Sequence, residues 1–197
     1  MADSSGRARL FVVSGPSGAG KGTVVAGLLQ HRPDVFLSVS STTRPARRGE
    51  VDGVNYHFVS ERDFIAGRDR GDFLETAEVY GNYYGTPRAL VEAALREGRD
   101  VILELDIQGA LAVKRALPES VLIFIEPPSL EELFSRLRGR RTEDPDALRR
   151  RVQAAYDEVK EKGAYDHIVV NDRIEDAIAQ VIRIMDAPQE RTPHPGS

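Results

Sequence analysis

The 197-residue chain is 41% hydrophobic and 29% charged, the proportions of a globular protein with a core, and its formal charge of −4 speaks against a dedicated nucleic-acid binder. Cysteine is absent, which excludes disulfides, thiol catalysis and cysteine–zinc sites and fits a cytoplasmic protein. No apolar run approaches membrane-spanning length and the N-terminus has no signal-peptide core, so no membrane partner is expected.

Residues 1–7 and 187–197 read as disordered ends around a single domain over 8–186. Leu10-Phe11-Val12-Val13 predicts a buried strand. It leads into Ser14-Gly15-Pro16-Ser17-Gly18-Ala19-Gly20-Lys21-Gly22-Thr23, after which an apolar helix begins at Val24. A glycine-rich loop in that position turns successive backbone N–H groups toward one point, and the helix N-terminus adds partial positive charge. Lys21 can reach the β- and γ-phosphates of a nucleoside triphosphate, and a hydroxyl nearby can approach Mg²⁺. The P-loop spelling has Ser or Thr directly after the lysine. Here Gly22 stands there, with Thr23 one place later.

Between Val39 and Tyr84 the pattern turns polar, aromatic and turn-rich, as an inserted lobe would. Its hydroxyls and arginines from Ser40 through Arg44 and Arg47 to Glu50 fit either a second anion site or a solvated basic loop. Residues 73–77 and Tyr83-Tyr84, joined near Gly81-Asn82, predict small antiparallel strands. Glu75 on the first of them is an acceptor-only group when ionised, suited to the paired N1–H and N2 amino donors of guanine and repelled by the N1 acceptor of adenine. Thr86-Pro87 predicts an N-cap with proline at the first helical position, and Gly98 a stop.

Residues 101–105, 121–125 and 167–170 predict further buried strands. Asp106, at the end of the first of these, could meet a metal or its waters, or could cap a helix. Ser129 and Glu132 form a capping box, and Asp144-Pro145 starts a helix running to about Gly163. Between those two helices, 138–144 is too polar for a core and reads as a lid. The flanking arginines either neutralise a migrating phosphoryl group or pair with surface acids. A last helix carries Ile174, Ile178, Val181, Ile182 and Met185 on one face. The βα alternation implies an α/β fold with a doubly wound parallel sheet, where ligands gather at the carboxyl ends of strands.

Beyond the P-loop, the runs Ser38 to Arg44, Arg47 to Gly53, Phe73-Leu74-Glu75, Gly81 to Thr86, Asp106-Ile107-Gln108-Gly109, Pro127-Pro128-Ser129, Arg138-Gly139-Arg140 and Val169-Val170-Asn171-Asp172 resemble the guanylate kinase family in order and approximate spacing. The resemblance implies a P-loop NTPase-type sheet flanked by helices, with core segments about 8–37, 86–137 and 152–186, a GMP-binding lobe about 38–85 and a mobile lid about 138–151. It implies transfer of a phosphoryl group from MgATP to GMP, with dGMP a second acceptor. Gly15, Pro16, Ser17, Gly18, Ala19, Gly20, Lys21, Gly22, Thr23 and Asn171 would bind ATP. Ser40, Arg44, Arg47, Tyr56, Glu75, Tyr84, Thr86 and Asp106 would bind GMP. Lys21, Arg44, Arg136, Arg140 and Arg151 would be catalytic, with Arg150 in the same helical turn, and Thr23 and Asp106 would face Mg²⁺. Glu104 stands where the resemblance has Asp. Monomer and homodimer both stay open.

Overall fold

The structure is a computed structural model that describes residues 8–79, 81–138 and 145–188, apart from the side chains of 137–138 and 145–151. Arg140, the tip of the expected lid and most of the expected disordered ends lie outside the described residues. The elements are, in chain order, β1 (Leu10–Ser14), α1 (Lys21–His31), β2 (Phe36–Leu37), β3 (Ser41–Thr42), β4 (His57–Phe58), α2 (Glu61–Arg70), β5 (Phe73–Val79), β6 (Asn82–Pro87) and α3 (Arg88–Arg96). There follow β7 (Val101–Glu104), α4 (Ile107–Ala116), β8 (Val121–Glu126), α5 (Leu130–Arg138), α6 (Pro145–Lys160), a 3₁₀ turn, β9 (His167–Val170) and α7 (Ile174–Asp186).

A five-stranded parallel sheet has the order β2-β7-β1-β8-β9. Alternate residues of central β1 feed opposite cores, as the period of two requires. Phe11 and Val13 pack with Val24, Leu28, Ile123, Ala177 and Val181 under α1 and α7. Leu10 and Val12 pack with Val91, Leu103, Ala110 and Val113 under α3 and α4. A side chain on Gly27 would come within 2.3 Å of Ile178 Cδ1, so its bareness allows α1 to lie close against α7.

A second sheet, of order β4-β3-β6-β5, is formed by the stretch expected to be an inserted lobe. The sequence pattern did not single out α2, although Ser60 accepts a hydrogen bond from Asp63 N and Gly71 ends the helix at φ +79°. Phe64 of α2 stacks on Phe73 at 4.6 Å and Tyr83 at 5.5 Å, fastening helix to sheet. Between β5 and β6 the register slips at Leu74 and Glu75. That bulge lets two consecutive side chains be buried, where a regular strand would send them to opposite faces. Leu74 enters the second core, and Glu75 turns into the cleft between the sheets.

Thr86 is not the expected N-cap. It ends in β6, Pro87 takes the cap position with extended backbone, and α3 begins at Arg88. The physical reason is a stronger bond elsewhere, because the Thr86 hydroxyl donates to the buried Glu75 carboxylate.

Candidate active site

The loop from β1 to α1 is held open by three left-handed or extended glycines, Gly15 at φ 142°, Gly18 and Gly20 both at φ 90°. A Cβ on Gly15 would lie 2.1 Å from the Ile125 carbonyl oxygen, and one on Gly20 would lie 2.4 Å from Asn171 Nδ2. Asn171 is buried and donates to Ala19 O at 2.7 Å, so it braces the loop from the end of β9. Pro16 and Ala19 are buried beneath, Ser17 is exposed, and Gly18 lies between those extremes. Lys21 Nζ folds over the loop onto Gly15 O at 2.7 Å and Pro16 O at 3.2 Å. Burial pulls its pKa down, while the nearby Glu104, Glu158 and Asp106 carboxylates pull it back up. Gly22 and Thr23 are exposed in the first turn of α1.

Across the cleft is a cavity of about 220 Å³ bounded by Ser40, Tyr56, Glu75, Tyr84, Glu104 and Asp106, among others. Glu75 is 7% exposed and accepts the Thr86 hydroxyl at 2.8 Å. Burial is the main cause that raises its carboxyl pKa to about 6, with Asp106 adding to the rise and Thr86 opposing it. Asp106 caps α4 by accepting Gly109 N at 2.8 Å. A Cβ on Gly109 would sit 3.2 Å from both Asp106 Oδ1 and Glu75 Oε2, so the bare turn lets the two carboxylates converge. Asp106 is thus a helix cap, one of its two expected roles, and it also lines the cavity.

Arg44 lies against the rings of Tyr56 and Phe58 at 5.4 and 5.9 Å and forms a bidentate pair with Glu50. Tyr56 and Tyr84 meet edge to face at 5.9 Å, and the Tyr84 hydroxyl faces Arg44. Burial raises the Tyr56 phenol further, which keeps it a neutral donor. Arg47 is exposed, and its backbone N donates to Glu50 at 2.7 Å. Arg136 pairs with Glu132 at 3.0 Å and extends Nη2 to Asn171 O at 3.4 Å, which brings it to the P-loop side of the cleft. Arg150 and Arg151 lie on the first half of α6, and their side chains are outside the description.

Three acids emerge that the sequence pattern did not assign. Glu104 at the end of β7 lies 3.4 Å from where a Gly22 side chain would begin, and it lines the cavity. Burial raises its pKa, and Lys21 lowers it. Glu158 on α6 accepts the Ser17 backbone N–H at 3.3 Å, tying that helix to the P-loop. Glu50 falls in the run Arg47 to Gly53, where the residue types alone give it no role. Glu158 gave no signal at all, because an acid on an amphipathic helix reads as surface charge.

Known proteins resemble this chain along nearly its whole domain. The guanylate kinase family model matches residues 7–188. A guanylate kinase of Clostridium perfringens is 53% identical over 179 residues, 91% of this chain and 83% of that protein. One of Thermus thermophilus is 50% identical over 186 residues, 94% of this chain and 84% of its own. The crystal structure of guanylate kinase from Anaplasma phagocytophilum superposes with a TM-score of 0.77 at 35% identity, covering 94% of this chain and 88% of that one. With a family match spanning nearly the whole domain, and at least half of the aligned positions identical in relatives covered over more than four fifths of their length, this chain belongs to the guanylate kinase family.

Proposed function

We propose that the chain transfers the γ-phosphoryl group of MgATP to a phosphate oxygen of GMP or dGMP, giving ADP and the nucleoside diphosphate. The observation that carries the choice of base is Glu75, a buried carboxylate aimed into the cavity with Thr86 on one oxygen. Its second oxygen and the Ser40 hydroxyl at the same cavity wall suit the N1–H and N2 amino donors of guanine. Adenine would leave that buried acceptor without a donor.

The acceptor phosphate belongs against Arg44, Arg47, Tyr56 and Tyr84. The donor triphosphate belongs in the loop 15–23, with Lys21 leaving the loop carbonyls for the β- and γ-phosphates and Asn171 near the adenine. Arg136, with Arg140, Arg150 and Arg151 from the lid about 138–151, would neutralise the migrating group. The acceptor is already an anion near neutral pH, so the chain has to align two polyanions, screen their repulsion and exclude water. A strong general base is not required.

Among the described residues no group of three or more His, Asp or Glu side chains could hold a metal unaided. That fits an ion that arrives bound to ATP phosphates and keeps several waters, as Mg²⁺ does. Thr23 and Asp106 would face those waters, joined by Glu104, whose carboxylate lies 3.4 Å from where a side chain at position 22 would begin. When bound, the ion draws charge from the phosphate oxygens.

An ADP-release assay with MgATP and GMP, dGMP, AMP, UMP or CMP offered separately tests this reading. Turnover confined to GMP and dGMP is expected. Nucleotide binding with no turnover on any of them would move the chain to the non-catalytic interaction modules that share this fold.

A further inference from the structure

The loop from Arg44 to Glu50 is more rigid than its exposure suggests. Glu50 N donates to Arg47 O at 3.0 Å across a turn with Gly49 at φ +91°. The Glu50 carboxylate accepts the Arg47 backbone N–H at 2.7 Å, closing the ring from the other side. The same carboxylate then grips the end of Arg44, Oε1 taking Nη2 at 2.9 Å and Oε2 taking Nη1 at 3.0 Å. The other hydrogen of Nη1 goes to Pro45 O at 2.7 Å. The guanidinium carbon lies 5.4 Å from the Tyr56 ring centroid and 5.9 Å from that of Phe58, within cation–π range of both.

Those three bonds leave one edge of Arg44, formed by Nε–H and the outer Nη2–H. A guanidinium edge of that kind is the bidentate match for two oxygens of a phosphate. The Tyr84 hydroxyl faces the same guanidinium.

We propose that Glu50 is a positioning residue for the acceptor: it ties up the far end of Arg44 so that the Nε edge is presented to the 5′-phosphate of the bound nucleoside monophosphate. The inference rests on the reading of this cleft as the monophosphate site. Without Glu50 the guanidinium would keep the Pro45 O bond and the ring contacts but lose the two bonds that fix its far end, so it would present different edges in turn.

The alternative arrangement has the opposite sign. If Glu50 merely occupied Arg44 until phosphate displaced it, removing the carboxylate would tighten binding.

The test is calorimetric titration of the full chain, wild type, Glu50→Ala and Glu50→Gln, with GMP and with guanosine. Guanosine carries the base and no phosphate, so it reports on the Glu75 end of the cavity separately. Expected for Glu50→Ala is a loss of about 10- to 100-fold in GMP affinity, the usual cost of disturbing a charge-assisted hydrogen-bonded pair, with guanosine affinity unchanged. Glu50→Gln, which keeps one acceptor oxygen, should fall between. In steady state KM for GMP should rise by the same factor, while KM for ATP stays within about twofold.

Unchanged or tighter GMP binding in Glu50→Ala would overturn the proposal. So would an equal loss for GMP and guanosine, which would mean general damage to the second sheet. A wild-type chain that binds neither ligand would overturn the assignment of the cleft itself, a failure distinct from either.

Discussion

On the proposed reading Glu75 carries the base selectivity, and burial raises its carboxyl toward neutrality. Its carboxyl is raised to about 6, chiefly by burial, so the free protein holds it ionised above that pH and protonated below. Guanine donors require the ionised form, so base affinity should be full above the raised pKa and fall as pH drops through about 6. GMP confuses this measurement because its own phosphate titrates in the same range, whereas guanosine does not. Guanosine affinity of the wild type is expected to weaken below about pH 6, and that of Glu75→Gln to be low and flat there. A flat wild-type profile would show that Glu75 does not meet the base as a carboxylate. In turnover, Glu75→Gln should raise KM for GMP by about 100-fold or more and leave KM for ATP near the wild-type value, since an amide donor then faces a guanine donor. Asp106 raises the Glu75 pKa in turn, so in Asp106→Asn the midpoint of the guanosine profile should move to lower pH. A midpoint that stayed put would separate the two carboxylates electrostatically despite their shared approach to Gly109.

Elements that obey a simple period were legible in the sequence, and those that depend on a partner were not. β1, β7, β8 and β9 form within a residue of their expected bounds, because strands buried on both faces must be continuous apolar runs. The Ser129 cap is present too, donated to by Glu132 N at 3.1 Å, though the Glu132 side chain pairs with Arg136 instead of closing the box. α2 has no such signature, since its apolar content is small and its order comes from Phe64 stacking on residues of other elements. The bulge at Leu74-Glu75 was also hidden, for a register slip is a property of two strands together. The phosphate loop and Glu75 were legible as chemistry from the residues and Thr86 and the tyrosines only through the family resemblance, whereas Glu50, Glu104 and Glu158 acquire roles through what they touch. Gly85 shows how tightly the second sheet depends on such contacts. A Cβ there would lie 2.9 Å from Phe73 Cδ1 and 3.1 Å from Phe64 Cζ, inside the aromatic stack. Gly85→Ala should therefore destabilise by about 1–3 kcal/mol in denaturant unfolding and weaken GMP more than ATP. An unaltered midpoint with wild-type kinetics would mean that the stack can open at no cost.

At the scale of the molecule, the second sheet is joined to the core at one end through Leu74 and carries short two-residue strands at the other. Leu74 is part of the core beneath α3 and α4, so the Glu75 end of the cavity moves with the parallel sheet. Arg44 and Tyr56 lie at the far side, on segments attached to the rest through the short β3 and β4. On the proposed reading, base recognition is thereby tied to the core, and phosphate capture sits on segments carried by two short strands. A monophosphate that spans both ends should draw the far side inward, whereas a ligand that engages the Glu75 end has no such leverage. The absence of cysteine makes this directly measurable, because two introduced thiols are the sole labelling sites. Arg62→Cys on α2 and Glu175→Cys on α7 are both exposed and lie outside the proposed site. Pulsed dipolar spectroscopy on the spin-labelled pair should show a shifted and narrower distance distribution with GMP and little change with guanosine. An ATP analogue added to the GMP complex should leave this distance nearly where GMP put it, since the P-loop belongs to the core. An equal shift with guanosine would locate the pivot away from Leu74, and an unchanged distribution with GMP would mean that the cleft binds its acceptor without closing on it.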